Sequence, residues 1–294
     1  MEKIIAKLTL LTLRSIGRLP LPAGLFFGAL LGRIAWLVGP REVHTTKRNI
    51  EACYPQLNAR EQTALARQSV IESGRLAFEI NIVWQRSTEW LHGQIVSISG
   101  EHLITQRDKS RGLMILGPHV GNWEVLGAIC SGYGPIAFLY QPPKKKHLEP
   151  LMIAARSKQG ATQLPTDVRG VAGLMRTLKR GETIGILPDQ NPDDNGGDFA
   201  ELFGHQALTM TLVHKLLQKT GAQVIMGAAI RVPGGFAIHF WEAPAGIDSA
   251  DEAESLRALN VGVEQSVALA PSQYQWEYKR FRRQPEGMPR FYHR

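Results

Sequence analysis

The segment Arg111-Gly-Leu-Met-Ile-Leu-Gly-Pro-His119-Val-Gly-Asn-Trp-Glu124 gives the first indication of the fold. Leu113–Leu116 is a short, wholly apolar run of the kind that forms a buried strand. Gly-Pro interrupts this run, and a small-residue turn at Gly121 precedes a helical pattern over Trp123–Cys130. A strand that passes through a tight turn into a helix is the building unit of an α/β layer.

The same alternation continues on both sides of this segment. Further strands are predicted where short runs are rich in apolar and β-branched residues: Ile95–Ile98, Ile136–Tyr140, Thr183–Leu187, Val224–Ile230 and Phe236–Trp241. Helical patterns occupy Leu148–Gln159, Val171–Arg180 and Thr209–Lys219. The sequence therefore predicts an α/β fold with a mostly parallel β-sheet flanked by helices.

His119 and Glu124 are the candidate catalytic pair. On a regular helix a spacing of five residues leaves a net rotation of about 140°, so the two side chains would not share a face. They can meet only if His119 precedes the helix, the chain turns at Gly121, and Glu124 occupies the first helical turn. A carboxylate bonded to one imidazole nitrogen would fix the tautomer, and the other nitrogen would accept a proton from a hydroxyl.

The spacing of this pair is weak support by itself. Nine histidines and 26 Asp+Glu in 294 residues predict roughly one such match by chance. The position after a strand is more informative, because ligands of open α/β sheets bind at the carboxyl ends of strands. A core histidine bonded to a helix carboxylate is the structural alternative. The sequence contains no G-x-S-x-G elbow, Walker A loop or G-x-G-x-x-G motif, which disfavours hydrolase and nucleotide-binding classes.

Composition limits the partners without selecting one. Lys+Arg number 34 and Asp+Glu 26, which gives a formal charge of +8. Such an excess favours nucleic acid, an acidic protein or a phosphate-bearing membrane surface. The two cysteines, Cys53 and Cys130, form no cluster with metal-ligand spacing, so we expect a reducing compartment and no metal site. We interpret Cys130 as a small buried hydrophobe rather than a nucleophile.

The N-terminus is the least globular part of the chain. An apolar run over Ile4–Leu13 is followed by a second from Leu19 to Val38, broken only by Arg33. A spanning helix needs about 20 apolar residues, and basic residues on both sides of the second run give no clear orientation. We expect membrane attachment through a spanning or an interfacial helix, with an ordinary buried helix pair as the alternative.

A long helical pattern over Ala59–Trp84 follows, with Asn58 as its N-cap and Gln62 as the capping partner. No repeat or convincing linker interrupts the remainder. We therefore divide the chain into a membrane-associated helical region at residues 1–40, a helical segment packed on the core at 41–90, and an α/β catalytic domain at 91–294.

Motifs along nearly the whole chain resemble those of one enzyme family. His119-Val-Gly-Asn-Trp-Glu124 is similar to the H-x4-D/E motif of lipid acyltransferases, in the form used by the late acyltransferases of lipid A biosynthesis. Further segments match that family in order: Arg48-Asn-Ile50, Tyr140-Gln-Pro142, Gly185-Ile-Leu-Pro-Asp189-Gln190, the Phe-Gly segment over residues 199–209, and Tyr274-Gln-Trp276-Glu-Tyr278-Lys-Arg280-Phe281. The ordered set is far more specific than any single piece.

The resemblance implies a glycerolphosphate-acyltransferase-like fold with an N-terminal membrane-associated segment. It implies an O-acyltransferase that moves a fatty acyl chain from an acyl carrier protein thioester to a hydroxyl of a lipid A precursor, on the cytoplasmic face of a Gram-negative inner membrane. In this scheme His119 removes the hydroxyl proton and Glu124 orients it, with no metal, no cofactor and no nucleic-acid partner. Two rivals remain: another lipid acceptor (a lysophospholipid, aminolipid or glycolipid), or a basic membrane-binding protein in which the motif is structural.

The resemblance also places four more residues at the site. Arg156 would bind a phosphate or the thioester oxygen through its planar fork, the alternative being a surface arginine. Asp189 follows a predicted strand, where it either lines the site or caps a turn. Asn122 and Gln190 are candidates for polar support. Lys144-Lys145-Lys146 is either a solvated run or a contact for an anionic membrane or acidic carrier.

Overall fold

A mostly parallel sheet forms the centre of the structure, a computed structural model that describes residues 2–141, 149–158, 160–193 and 195–292. The strands are β1 (Ile95–Ser99), β2 (Leu113–Leu116), β3 (Ile136–Tyr140), β4 (Thr162–Pro165), β5 (Thr183–Ile186), β6 (Gly197–Leu202), β7 (His205–Met210), β8 (Gln223–Val232) and β9 (Gly235–Glu242). Seven of them form one sheet in the order β1-β9-β8-β2-β5-β3-β4, in which only β8 and β9 are antiparallel. The predicted α/β class is confirmed.

Helices cover both faces of this sheet. They are α1 (Glu2–Gly17), α2 (Leu21–Val38), α3 (Arg41–Cys53), α4 (Ala59–Gln85), α5 (Thr88–His92), α6 (His102–Thr105), α7 (Trp123–Ser131), α8 (Glu149–Lys158), α9 (Val168–Lys179), α10 (Leu212–Thr220) and α11 (Glu252–Leu269). Leu113 and Ile115 of β2 pack with α7, whereas Met114 and Leu116 pack with α9 and α10. Burial on both faces explains why this strand is a continuous apolar run.

The predicted strands and helices are present within a few residues, with one segment wrong. Thr209 and Met210 belong to β7, so the helix predicted from Thr209 begins at Leu212. The hairpin β6–β7 was not predicted, since its turn at Phe203-Gly204, with φ of 50° and 75°, lacks the Asn-Gly or Asp-Gly pair that marks such turns. The edge strand β4 and the helix α11 were also missed. Leu148, Gln159, Pro142 and Lys144-Lys145-Lys146 lie outside the described residues.

The 27-residue helix α4 connects the N-terminal helices to the sheet domain. Asn58 caps it as predicted, but the reciprocal partner is Glu61 rather than Gln62, because residue N3 of the helix is the one that reaches the N-cap backbone. α2 runs along α4 on a stripe of glycines: a Cβ at Gly28 or Gly32 would lie 2.6 Å from the Cα of Arg75 or Ile71. Small residues thus let the two helix backbones approach closely.

The opposite face of α2 is apolar and exposed. Its exposed side chains are Phe26, Phe27, Leu30, Leu31, Ile34, Leu37 and Val38. Among the described residues, α2 is the single helix whose length and composition would allow it to cross a membrane. An exposed apolar surface of this extent marks an interaction site with another apolar phase or partner.

Candidate active site

The loop after β2 carries His119 to the carboxyl end of the sheet. Gly121 has a φ of 60°, and a Cβ there would lie 2.1 Å from the carbonyl oxygen of Ala229 in β8, so the turn requires glycine. The Gly121 N–H donates to the Gln273 carbonyl at 3.0 Å, and the Asn122 N–H donates to the Ala229 carbonyl at 2.8 Å. The loop is therefore fixed between the sheet and the C-terminal segment.

Asp189 is the carboxylate that binds His119. It follows β5, the strand beside β2, so the two strand ends bring it next to the imidazole. Its Oδ1 accepts from His119 Nδ1 at 2.8 Å, and its Oδ2 accepts from the His119 backbone N–H at 3.0 Å. Because a carboxylate only accepts, this bond places the proton of the neutral imidazole on Nδ1 and leaves Nε2 unprotonated.

The charge of Asp189 is stabilised by this contact. Burial raises the pKa of its carboxyl, but the charge of His119 and the hydrogen bonds from the His119 ring and backbone outweigh that effect, and the pKa falls below its usual value. Asp189 thus stays ionised at neutral pH, where it can stabilise an imidazolium on His119.

Two glutamines and a tryptophan surround the other side of the imidazole. Gln190 Nε2 donates to His119 Nε2 at 3.2 Å and to Gln275 Oε1 at 3.0 Å. The ring of Trp123 packs edge-on against the imidazole, with centroids 4.6 Å apart. The predicted polar residue Gln190 therefore contacts His119 directly. Gln275 was not singled out from the sequence, although it lies within the motif around Trp276.

Glu124 occupies the first turn of α7 as predicted, but its partner differs from the prediction. Its Oε1 accepts from Arg156 Nη2 at 2.5 Å, and its Oε2 accepts from Arg156 Nε at 3.2 Å and from Trp84 Nε1 at 2.9 Å. Within the described chain no hydrogen bond joins Glu124 to His119. From the helix the carboxylate points toward α4 and α8, whereas the imidazole points toward the end of β5, so the expected His119–Glu124 pair is replaced by two separate pairs.

Arg156 is an oriented cation that solvent still reaches. Its side chain is 24% exposed, against 5% for Glu124. Burial lowers the pKa of its guanidinium, but the hydrogen bonds and charge of Glu124 more than offset this and raise the pKa. The guanidinium also lies over the ring of Tyr140, 5.8 Å from its centroid. These contacts fix the planar fork while leaving donors available to an anion.

Asn122 has a structural position in this arrangement. It is fully buried and caps α7, with its Oδ1 accepting from the backbone N–H groups of Glu124 and Val125 at 3.1 Å each. Contact between Asn122 and a substrate stays a prediction.

A buried ionic cluster lies behind the loop. Arg231 of β8 binds both Glu72 and Glu79 of α4, and its backbone exchanges hydrogen bonds with the Gln273 side chain at 2.9 and 3.0 Å. Gln273 is the residue whose carbonyl holds Gly121, so the cluster supports the catalytic loop. The Glu79–Arg231 pair joins residues 152 positions apart, and no local sequence signal announces it.

Two narrow cavities meet beside Trp123. One is lined by apolar side chains and glycines between α7 and the sheet, among them Leu126, Cys130 and Ile136. The other, of about 90 Å³, extends past Glu124 and Arg156 to Gln163. Cys130 is buried as interpreted, and burial raises the pKa of its thiol to about 12, which keeps it protonated and poorly nucleophilic.

Comparison with known proteins gives a consistent result along the chain. The family model described as "Bacterial lipid A biosynthesis acyltransferase" matches residues 2–283. The chain is 28% identical over 283 residues to a lipid A biosynthesis lauroyltransferase of Escherichia coli (strain K12), covering 94% of this chain and 90% of the relative. It is 24% identical over 284 residues to a lipid A biosynthesis palmitoleoyltransferase of the same organism, with the same coverage of 94% and 90%.

A lipid A biosynthesis acyltransferase of Haemophilus influenzae is also similar, at 25% identity over 285 residues, 93% of this chain and 88% of the relative. The identities are low, but the aligned region includes the strand, turn and helix that carry His119 and Glu124. The predicted family is confirmed: this chain belongs to the bacterial lipid A biosynthesis acyltransferases and is an acyltransferase.

Proposed function

We propose that this acyltransferase moves a fatty acyl chain from an acyl carrier protein thioester to a hydroxyl of a lipid A precursor, with His119 as the general base. The observation that carries the proposal is the hydrogen bond between His119 Nδ1 and Asp189. Asp189 holds the proton on Nδ1, and the lone pair of Nε2 accepts from Gln190, whose place the acceptor hydroxyl takes when it binds beside Trp123. A neutral imidazole held in one tautomer is suited to accept a hydroxyl proton.

The reaction then proceeds as one acyl transfer. His119 Nε2 takes the proton of the acceptor hydroxyl as its oxygen forms a bond to the thioester carbonyl carbon. The carbon–sulfur bond breaks, and the proton on Nε2 passes to the thiolate that leaves. Asp189 remains ionised and stabilises the imidazolium between the two proton transfers, so a covalent acyl-enzyme is not needed.

Glu124 receives a different role from the one first expected, whereas Arg156 keeps its expected role. The bidentate contact from Glu124 orients Arg156, and the guanidinium neutralises either a phosphate of the acceptor or the oxygen of the thioester as negative charge develops on it. In this assignment Asp189 takes the orienting role that the motif suggested for Glu124.

The exposed face of α2 supports attachment to a membrane, and a carrier-bound donor would be met at the cytoplasmic face of the inner membrane. Phe26 is 62% and Leu37 83% exposed, while the glycine stripe on the other side holds α2 against α4. α4 is fixed to the sheet domain, because its Glu72 and Glu79 belong to the buried ionic cluster. If α2 alone crossed a bilayer, it would have to leave its packing contact with α4. We therefore infer that α2 lies in the interface with its apolar face among the acyl chains.

The experiment that tests the proposal is an assay with detergent-solubilised protein, acyl carrier protein thioesters of several chain lengths and an under-acylated lipid A precursor. Mass spectrometry of the lipid follows the product. A mass gain of one acyl group, lost in His119→Ala, is the expected result. No gain with any donor would remove the proposed substrates, whereas a gain that survives in His119→Ala would remove the general base.

A further inference from the structure

Gln163 is a polar residue at a position where the fold calls for an apolar one. It is the register partner of Phe138 in the parallel pair β3–β4, so both side chains lie on the same face of the sheet. That face is the one covered by α7, since Phe138 lies 3.6 Å from the Cβ position of Gly127. The next residue, Leu164, faces the other way and packs on Gly173 of α9.

Both polar atoms of the Gln163 amide are buried, and neither has a hydrogen-bond partner among the residues that the structure describes. A buried side-chain amide with neither its donor nor its acceptor satisfied is costly, and a native structure that retains one usually has a partner for it. The amide borders the cavity of about 90 Å³ that also contacts Glu124, Arg156 and Trp123. A group that enters this cavity would satisfy both atoms of the amide.

The two cavities beside Trp123 differ in chemistry. The cavity that ends near Cys130 and Ile136 has apolar walls and a volume of about 30 Å³, so it suits a short stretch of hydrocarbon. The cavity of Gln163 is lined by apolar side chains, by the Arg156–Glu124 pair and by one unsatisfied amide, so it suits a slender chain that carries hydrogen-bonding groups. A thioester donor built on pantetheine has both kinds of group. A hydrocarbon chain lies on one side of its thioester carbonyl carbon, and an amide-bearing arm lies on the other.

We propose that the Gln163 cavity receives the pantetheine arm of the acyl donor, and that the Gln163 side chain hydrogen-bonds to an amide of that arm. The inference rests on the proposed transfer from a thioester and adds the part of the donor that is recognised. The arm enters over the edge strand β4, and the thioester lies beside Trp123, within reach of the group activated by His119. The first carbons of the acyl chain then lie at the apolar cavity.

The experiment compares Gln163→Met with the unaltered enzyme on two donors, dodecanoyl pantetheine and the dodecanoyl thioester of 2-mercaptoethanol, which contains no amide. Loss of one hydrogen bond between neutral groups should raise KM for the pantetheine donor about 3- to 10-fold and leave KM for the amide-free donor unchanged. Thermal unfolding should occur at the same or a higher temperature, because the substitution removes an unsatisfied buried amide. Gln106→Met, at an exposed position after α6, is the matched control and should change neither KM nor unfolding.

Two results would overturn the proposal: an equal change in KM for both donors, or a lower unfolding temperature with equal loss on both. Isothermal titration with the unreactive thioether dodecyl pantetheine tests the contact without turnover. Weaker binding by Gln163→Met would support the arm site even if the enzyme transferred no acyl group. Absence of acyl transfer would count against the proposed function alone. Coenzyme A and acyl carrier protein both present this arm. Repeating the KM comparison with their dodecanoyl thioesters shows which of the two is the better source.

Discussion

Two ionic pairs lie at the same end of the sheet and differ in what their cations can do. In His119–Asp189 the side chains are 13% and 2% exposed, and the cation exists only while the imidazole holds an extra proton. In Arg156–Glu124 the exposures are 24% and 5%, and the guanidinium is charged throughout. The first pair is therefore suited to proton transfer and the second to holding an anion. A motif of six residues, from His119 to Glu124, contributes one member to each pair.

The largest expected effect is on the kinetics, because substitutions in the two pairs should change different kinetic constants. His119→Ala should lower kcat about 10³-fold, because it removes the proton acceptor. Arg156→Ala should mainly raise KM for the lipid acceptor, since it removes a binding cation. Steady-state assays with the carrier thioester and the lipid A precursor measure both, with His102→Ala, an exposed histidine of α6, as control. If His119→Ala altered KM alone, the distinction between the pairs would fail.

The next prediction concerns the two carboxylates. Asp189→Asn should lower kcat by about 10² to 10⁴-fold, as expected when the partner that fixes the tautomer and stabilises the imidazolium loses its charge. Glu124→Gln should keep more of kcat and destabilise the fold by about 1–3 kcal/mol, because Arg156 loses a charged hydrogen-bond partner. Parallel kinetics and urea unfolding check this. A large loss in Glu124→Gln with a mild one in Asp189→Asn would restore the pairing first inferred from the motif.

A third prediction concerns the turn that separates the pairs. Gly121 and Gly221 both have a φ of 60°, but a Cβ would clash with Ala229 at Gly121 and meets nothing within 4 Å at Gly221. Gly221→Ala should cost about 1–2 kcal/mol for the left-handed conformation alone. Gly121→Ala should cost about 3 kcal/mol and also lower kcat, because the loop must move. Equal losses of stability, with kcat retained, would show that the close approach to β8 is dispensable.

The smallest expected effect is the pH dependence of stability. The pKa of Asp189 is lower in the folded protein than its usual value. Its contribution to stability is therefore complete above the ordinary aspartate pKa of about 3.9 and is lost as pH falls through the folded value. Urea unfolding of the wild type and Asp189→Asn at neutral and acidic pH measures this, and the difference between them should shrink at acidic pH. A difference that is constant with pH would contradict the assignment of charge to Asp189.

Local sequence was sufficient where one short segment decides the structure. Leu113–Leu116 and Ile136–Tyr140 are strands with the predicted bounds, because each is apolar over its whole length and is ended by turn residues. Thr162–Pro165 was missed since it has four residues, two of them exposed, at the edge of the sheet. The β6–β7 hairpin was missed because its turn residues give a weak signal.

The same division between what local sequence decides and what it does not applies to the candidate active site. The six predicted residues lie at or next to the carboxyl end of the sheet, and their roles in the reaction stay predictions. Their pairing was not predictable, because the bond between His119 and Asp189 joins residues 70 positions apart and that between Glu124 and Arg156 joins residues 32 apart. Residues without a motif signal, such as Trp84, Gln163 and Arg231, became recognisable only from their contacts.

The sequence by itself determined the class of fold and the family, since these depend on local hydrophobic pattern and on short motifs. Tertiary structure alone decided which carboxylate binds which cation, which face of α2 is buried, and that Gln163 has no partner. These depend on the order of strands in the sheet and on the direction in which each helix leaves it. Contacts between segments far apart in the chain set both, and no single segment encodes them.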